Sequence, residues 1–309
     1  MKFKGYFYAF LAAASYGTNP IFAKPLYADG MNPDSVLLFR YLLAVMVLIP
    51  MMAWNGYLRH RKEPSMLSLS AAMAQTFQVS RHSLPQLIVM GILMAMSSLT
   101  LFVSYNYMPV GIASTLLFVY PIMTALIMML CFGEKLSWLV LGCLLLACGG
   151  IGLLCPIENG TFDLSGDFFI GFLIVMLSGL SYAIYLVGLN KTRLRTIASM
   201  PVTLYVLIFG TLVFVFRLMV SSPLTLPQQP AMWLNLLGLG ILPTIVSLVF
   251  TAKAIQNIGS TQTALLGAME PVTAVILGFF ILGETVSLRD IMGMILIFIA
   301  VTLVVCRRK

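Results

Sequence analysis

Ten apolar runs, each close to the length that crosses a bilayer as a helix, fill almost the whole chain: about 5–27, 33–53, 85–105, 110–130, 138–155, 168–188, 201–221, 231–252, 260–282 and 288–306. Inside hydrocarbon no water is available to the backbone, so each run must satisfy its own N–H and C=O groups as a helix. The soluble alternative fails on charge. Only 9% of the residues are charged and 60% are hydrophobic, whereas soluble domains carry about 25% charged residues. The expected fold class is an all-α membrane protein with ten transmembrane helices and no sizeable soluble domain.

Lys2 and Lys4 precede the first run as they would in a secretory leader. No Ala-x-Ala-like cleavage site follows, and Asn19-Pro20 and Lys24 continue the pattern, so the run is expected to stay as a first helix. The cysteines Cys131, Cys143, Cys148, Cys155 and Cys306 fall in or beside the runs without Cys-x-x-Cys spacing. Neither a metal site nor a disulfide framework is indicated.

The net charge of +8 is explained by topology and not by a nucleic-acid partner. With a cytoplasmic amino terminus, ten crossings put Lys2, Lys4, Arg59, Arg61, Lys62, Arg81, Lys135, Lys191, Arg193, Arg195, Lys253, Arg307, Arg308 and Lys309 on the inner side. Asp29, Asp34, Glu158, Asp163, Asp167, Glu284 and Asp290 lie on the outer side. Such a Lys/Arg bias orients membrane proteins. The expected location is the cell (inner) membrane, multi-pass, with both termini cytoplasmic.

The runs divide into two similar sets. Pro121 precedes Glu134 by thirteen residues and Pro271 precedes Glu284 by the same number; Phe132-Gly133-Glu134 aligns with Leu282-Gly283-Glu284. Ala13-Ala14-Ser15-Tyr16-Gly17 likewise aligns with Gly179-Leu180-Ser181-Tyr182-Ala183. Five runs precede the polar stretch Pro156 to Asp167 and five follow it. An odd number of crossings inverts the second set relative to the first, an architecture of secondary transporters. The expected units are 1–155 and 168–309. The turns entering the fourth and ninth runs differ, since Gly111 lies ten residues before Pro121 and Gly259 twelve before Pro271. Within the first unit, the connection 55–84 is long; Met66, Leu69, Met73 and Phe77 recur there at helical spacing after a basic cluster. An amphipathic helix on the cytoplasmic leaflet is expected. His60 and His82 lie in this loop, which removes histidine from any intramembrane proton relay.

Glu270 is the conspicuous polar residue. It lies about twelve residues from the outer end of the ninth run, or ~18 Å deep, and a charge at that depth costs about 2.5–3.5 kcal/mol on insertion scales. Two readings stand side by side: Glu270 alternately binds a proton or a cationic solute group, or it stays ionised and pairs with a structural cation. Arg40 in the second run and Lys24 in the first are the candidate cations; Lys24 could equally snorkel to the surface. Pro20, Pro121 and Pro271 each remove a helix hydrogen bond and are expected helix bends. Tyr16, Asn19, Tyr120, Tyr182 and Asn106, with Thr18, Tyr105 and Tyr185 as lesser candidates, supply hydrogen bonds and rings for a small solute. At the duplicated prolines the symmetry breaks, with Tyr120 before one and Glu270 before the other. Glu134 and Glu284 belong to turns between helices, and Ser287-Leu288-Arg289-Asp290 fits a capping box. No phosphate loop, nucleophile-base pair or metal spacing is present, so no enzyme activity and no cofactor are expected.

These segments resemble the EamA-type transporters of the drug/metabolite transporter superfamily. Tyr16-Gly17-Thr18-Asn19-Pro20-Ile21-Phe22-Ala23-Lys24 resembles the family's first-helix motif, Phe39-Arg40-Tyr41-Leu42-Leu43-Ala44 its second-helix motif, and Glu270-Pro271-Val272 through Leu282-Gly283-Glu284 its ninth-helix segment. The resemblance implies two inverted five-helix halves, a central cavity from the first four helices of each, and peripheral fifth and tenth helices. It also implies a small metabolite as partner, often an amino acid or derivative, moved commonly outward, with protons as a candidate coupling ion. The 55–84 loop is longer than the family's usual second connection. Alternatives are an uncoupled facilitator or importer, and outside that class a membrane receptor or assembly protein.

Overall fold

The structure, a computed structural model, describes residues 2–62, 68–104, 106–107, 113, 116–135, 137–154, 166–220, 223–283 and 287–306. Met66, Tyr105, Gly111, Cys155, Glu158, Asp163, Glu284, Arg307, Arg308 and Lys309 lie outside the described residues, as does most of the polar stretch between the expected units. Among the described residues the regular structure is entirely helical.

The helices follow the apolar runs, with differences at their ends and middles. The first run is α1 (Lys2–Tyr16) and α2 (Asn19–Ala28), the second α3 (Pro33–Lys62). A short α4 (Leu69–Phe77) and a 3-10 turn lead into α5 (Leu84–Ser104). Then come α6 (Tyr120–Phe132), α7 (Trp138–Leu154), α8 (Gly166–Lys191) and α9 (Ser199–Val220). The eighth run is α10 (Pro230–Gly240), a π-helical segment (Ile241–Val246) and α11 (Ser247–Ile258). The ninth is α12 (Ser260–Leu266) and α13 (Met269–Leu282), and α14 (Leu288–Cys306) closes the chain. Among the described residues, six helical stretches are long and apolar enough to cross a membrane, including Pro33–Leu58, Asp167–Lys191 and Ser199–Val220. The outer surface is correspondingly greasy, with Phe3, Leu130, Trp138, Phe216, Met219 and Phe280 all exposed.

α3 runs nine residues beyond the expected end of its run, because no proline falls between Trp54 and Arg61 and the single Gly56 costs only about 1 kcal/mol in a helix of 30 residues. The expected helix of the long connection is α4. Ser68 caps it, accepting from the Ala71 N–H. It packs along α3, and its last carbonyl, Phe77, accepts from the Tyr205 hydroxyl of α9 at 3.2 Å. α4 is thereby tied to the helical body.

Glycine sets the closest approaches. On α7, a Cβ at Gly150 would stand 2.7 Å from the Gly293 carbonyl of α14. Between α5 and α9, a Cβ at Gly91 would meet the Val206 carbonyl at 2.9 Å. Such positions let backbones touch and raise dispersion contact where no hydrophobic effect drives helices together. Gly133 after α6 and Gly283 after α13 take the same left-handed conformation, φ 64° and 67°, which ends a helix without the strain a side chain brings. Each is followed by a capped helix start. The Ser137 hydroxyl accepts from the Val140 N–H; Ser287 and Asp290 exchange bonds as a capping box.

Candidate functional site

Three helices break in their middles, and the breaks meet. The chain leaves helix at Gly17-Thr18, Phe118-Val119 and Gly267-Ala268, two to four residues before Pro20, Pro121 and Pro271. The proline ring cannot donate to the carbonyl four residues back, so the preceding turn closes by shorter bonds: Thr18 N–H to Ser15 O, Val119 N–H to Leu116 O, Glu270 N–H to Gly267 O. A Cβ on Gly17 would stand 2.7 Å from the Glu270 carbonyl, and one on Gly267 would coincide with the Tyr120 hydroxyl. The missing side chains therefore hold Tyr16, Tyr120 and Glu270 side by side.

These three and Tyr182 line a central cavity, together with Ser97, Ser98, Ser247, Thr251, Thr263 and small or apolar residues of α1, α5, α8 and α12. Water centres can occupy about 40 Å³ of it, room for a few waters. The Tyr120 and Tyr182 rings meet edge to face at 4.8 Å, and Tyr185 stacks behind Tyr182 at 5.9 Å. On α1, α11 and α12 its residues lie on the Lys2, Ile258 and Ser260 side of the breaks or π segment and on α8 toward Lys191, whereas on α5 Ser97, Ser98 and Leu101 lie in the half toward Ser104.

On the opposite face, a polar seam joins the α2–α3 turn to the segment before α10. Asn32 donates its backbone N–H to Thr225 Oγ1 and its amide to Pro223 O; Thr225 N–H reaches Ser35 Oγ and Gln228 N–H reaches Asp29 Oδ2. Arg217 Nε pairs with Asp34 Oδ1 at 2.8 Å.

Arg40 is buried but does not line the cavity. Its Nε donates to Thr244 Oγ1 at 2.6 Å and its Nη2 to Pro243 O at 3.0 Å, both in the π segment, where Pro243 supplies no donor and Thr244 bonds back to Leu239 O. The guanidinium lies over the Tyr16 ring, 5.3 Å from its centre. Arg40 and Glu270 form no ion pair. Among the described residues the Glu270 carboxyl makes neither a hydrogen bond nor a salt bridge; it opens, half-buried, on the cavity.

Of the candidates drawn from sequence, the structure brings together Glu270, Tyr16, Tyr120 and Tyr182, with Arg40 behind Tyr16. Asn19 stands just beyond the α1–α2 break, its buried Oδ1 without a partner among the described residues. Lys24 is exposed on α2, and Asn106 is exposed in the turn after α5, away from the cavity. The hydroxyls of Ser97, Ser98, Ser247, Thr251 and Thr263 were not singled out by sequence, because hydroxyls in apolar helices usually bond their own backbone.

The profile of the EamA-like transporter family matches residues 3–155 and again 169–306. The chain belongs to the EamA-like transporter family. A Synechocystis sp. protein, uncharacterized transporter sll1319, is 29% identical over 223 residues, covering 69% of this chain and 64% of its own. An uncharacterized transporter of Archaeoglobus fulgidus is 29% identical over 60% of this chain and 63% of its own. The chain thus spans somewhat under two thirds of these two relatives. Bacillus subtilis YdfC, also described as a transporter, is 23% identical over 86% of this chain and 79% of its own. A solved structure at 15% identity shares the fold with a TM-score of 0.77, over 98% of this chain and 97% of that one.

Proposed function

We propose that the chain is a secondary transporter built as ten spanning helices in two inverted five-helix units, 1–155 and 168–309, which exports a small polar or amphipathic amine or amino acid metabolite across the cell membrane by alternating access. The doubled family match, the identical left-handed caps at Gly133 and Gly283, and a cavity lined from both units support this reading. So does the pairing of α7 with α14 at the periphery. The cytoplasmic side is the face of the Lys2, Lys191 and Ile258 ends, where Lys and Arg concentrate. The Asp34–Arg217 seam closes the other face, and on α1, α8, α11 and α12 the cavity is lined from the cytoplasmic side, which supports a state shut toward the outside.

The observation that carries the reading is Glu270, a carboxyl with no hydrogen-bond or ion-pair partner among the described residues, opening on a water-wide cavity. An ionisable group is placed there at a cost, and a group left unpaired is free to exchange a proton for a solute. In proteoliposomes, Glu270→Gln is expected to abolish solute flux driven by a pH gradient while the protein elutes as a folded species. Flux of unchanged pH dependence in that variant would end the proton-exchange reading.

A further inference from the structure

We propose that the solute accepted by this cavity is an organic monocation, an amine without a carboxylate; the inference rests on the transporter reading above. Among the described residues Glu270 is the cavity's only charged lining residue, and no cation forms an ion pair with it. Arg40 lies behind Tyr16 with Nε and Nη2 committed to the π segment, and Lys24 is exposed on α2.

The other usual receptor for a carboxylate, a half-helix N-terminus, is poor in free donors at the two breaks that carry Tyr120 and Glu270. At α6, Pro121 has no N–H and the next two amides, Ile122 and Met123, both bond back to Val119 O. At α13, Pro271 has no N–H, the Glu270 N–H bonds to Gly267 O, and the Glu270 carboxyl itself sits in the positive first turn. A solute carboxylate would enter beside the Glu270 carboxylate with only neutral hydroxyl donors, and no cation in the lining, to offset its lost hydration and the like-charge repulsion.

A cation meets the opposite situation. Glu270 offers a charge-assisted acceptor, while Tyr16, Tyr120 and Tyr182 present ring faces and edges around it, suited to cation–π contact and to the apolar body of an amine. Ser247 and Thr251 add hydroxyls that make no hydrogen bond among the described residues. The cavity has room for a few waters only, so the rings must part for the solute to seat. Tyr182, on the uninterrupted α8, is the one without a break beneath it.

The test uses equilibrium dialysis of the full chain in detergent with two skeletons in three charge forms: phenethylamine, phenylalanine and phenylpropionate, and butylamine, norvaline and valerate. An amine is expected to bind at least tenfold more tightly than its zwitterion or acid. Glu270→Gln should lose that binding roughly tenfold or more, and Glu270→Asp, which keeps the charge, should retain the preference. Tyr182→Leu should weaken the amines alone. Tighter binding of a zwitterion or acid that still depends on Tyr182 overturns the monocation inference and leaves the transporter reading standing. Binding of none of the six, with no flux of any of them in proteoliposomes, overturns both.

Discussion

Gly267 and Tyr120 share one space, since the tyrosine hydroxyl sits where an alanine methyl would be. Filling it must push back the α12–α13 break or rotate Tyr120 off its edge contact with Tyr182. Overpacking of this kind costs about 1–3 kcal/mol. Gly267→Ala is expected to lower the thermal unfolding midpoint in detergent, and Tyr120→Phe alone to change it little. The double variant should recover part of the loss, the non-additivity that touching residues show; strictly additive midpoints would mean that the two do not meet. The same residues show what sequence can reveal. Glu270 and Tyr120 stand out in the sequence because each precedes a duplicated proline, and Tyr16 and Tyr182 because they occupy matching positions in the two sets of runs. Ser247 and Thr251 do not, because they are indistinguishable on paper from Thr100, Thr124 and Thr211, whose hydroxyls bond the carbonyl four residues back. Arg40 was visible as a buried cation, but its acceptors exist only because Pro243 opens a π segment, a backbone event no periodicity announces.

At the scale of elements, the breaks and the seam are the moving parts. The apolar runs foretold nearly every helix within a few residues, since hydropathy and length are what a bilayer selects. The interruptions were less legible: prolines marked them, but the breaks fall before the prolines, where the orphaned carbonyls are. The seam was invisible, because it joins residues nearly 200 positions apart through short polar side chains. The Arg217 side chain is 32% exposed and that of Asp34 11%, so their pair is worth at most about 1 kcal/mol; the backbone bonds of Asn32, Thr225 and Gln228 carry the rest. Weakening it should move the population toward an outside-open state by up to about fivefold. With native cysteines replaced and Ser247→Cys in the cavity, Asp34→Asn should raise labelling by an impermeant thiol reagent applied from the seam side two- to fivefold. An unchanged labelling rate would relieve the seam of any gating role.

For the whole molecule, the inverted arrangement makes a demand that neither residue nor element does. If the units lie oppositely in the membrane, the turn after α6 and the turn after α13, alike in their left-handed glycines and serine caps, must open on opposite faces. Lys135 and Ser287 are exposed in these turns, and a cysteine at either should leave the fold intact. In cells expressing a variant without native cysteines, an impermeant maleimide should label Ser287→Cys directly and Lys135→Cys only after permeabilisation. Labelling of both from one side would place the two units in parallel. The closed seam would then be a fixed property of the fold and not one of two alternating states, because alternating access follows from inversion: whatever conformation the first unit takes toward one face, the second can take toward the other.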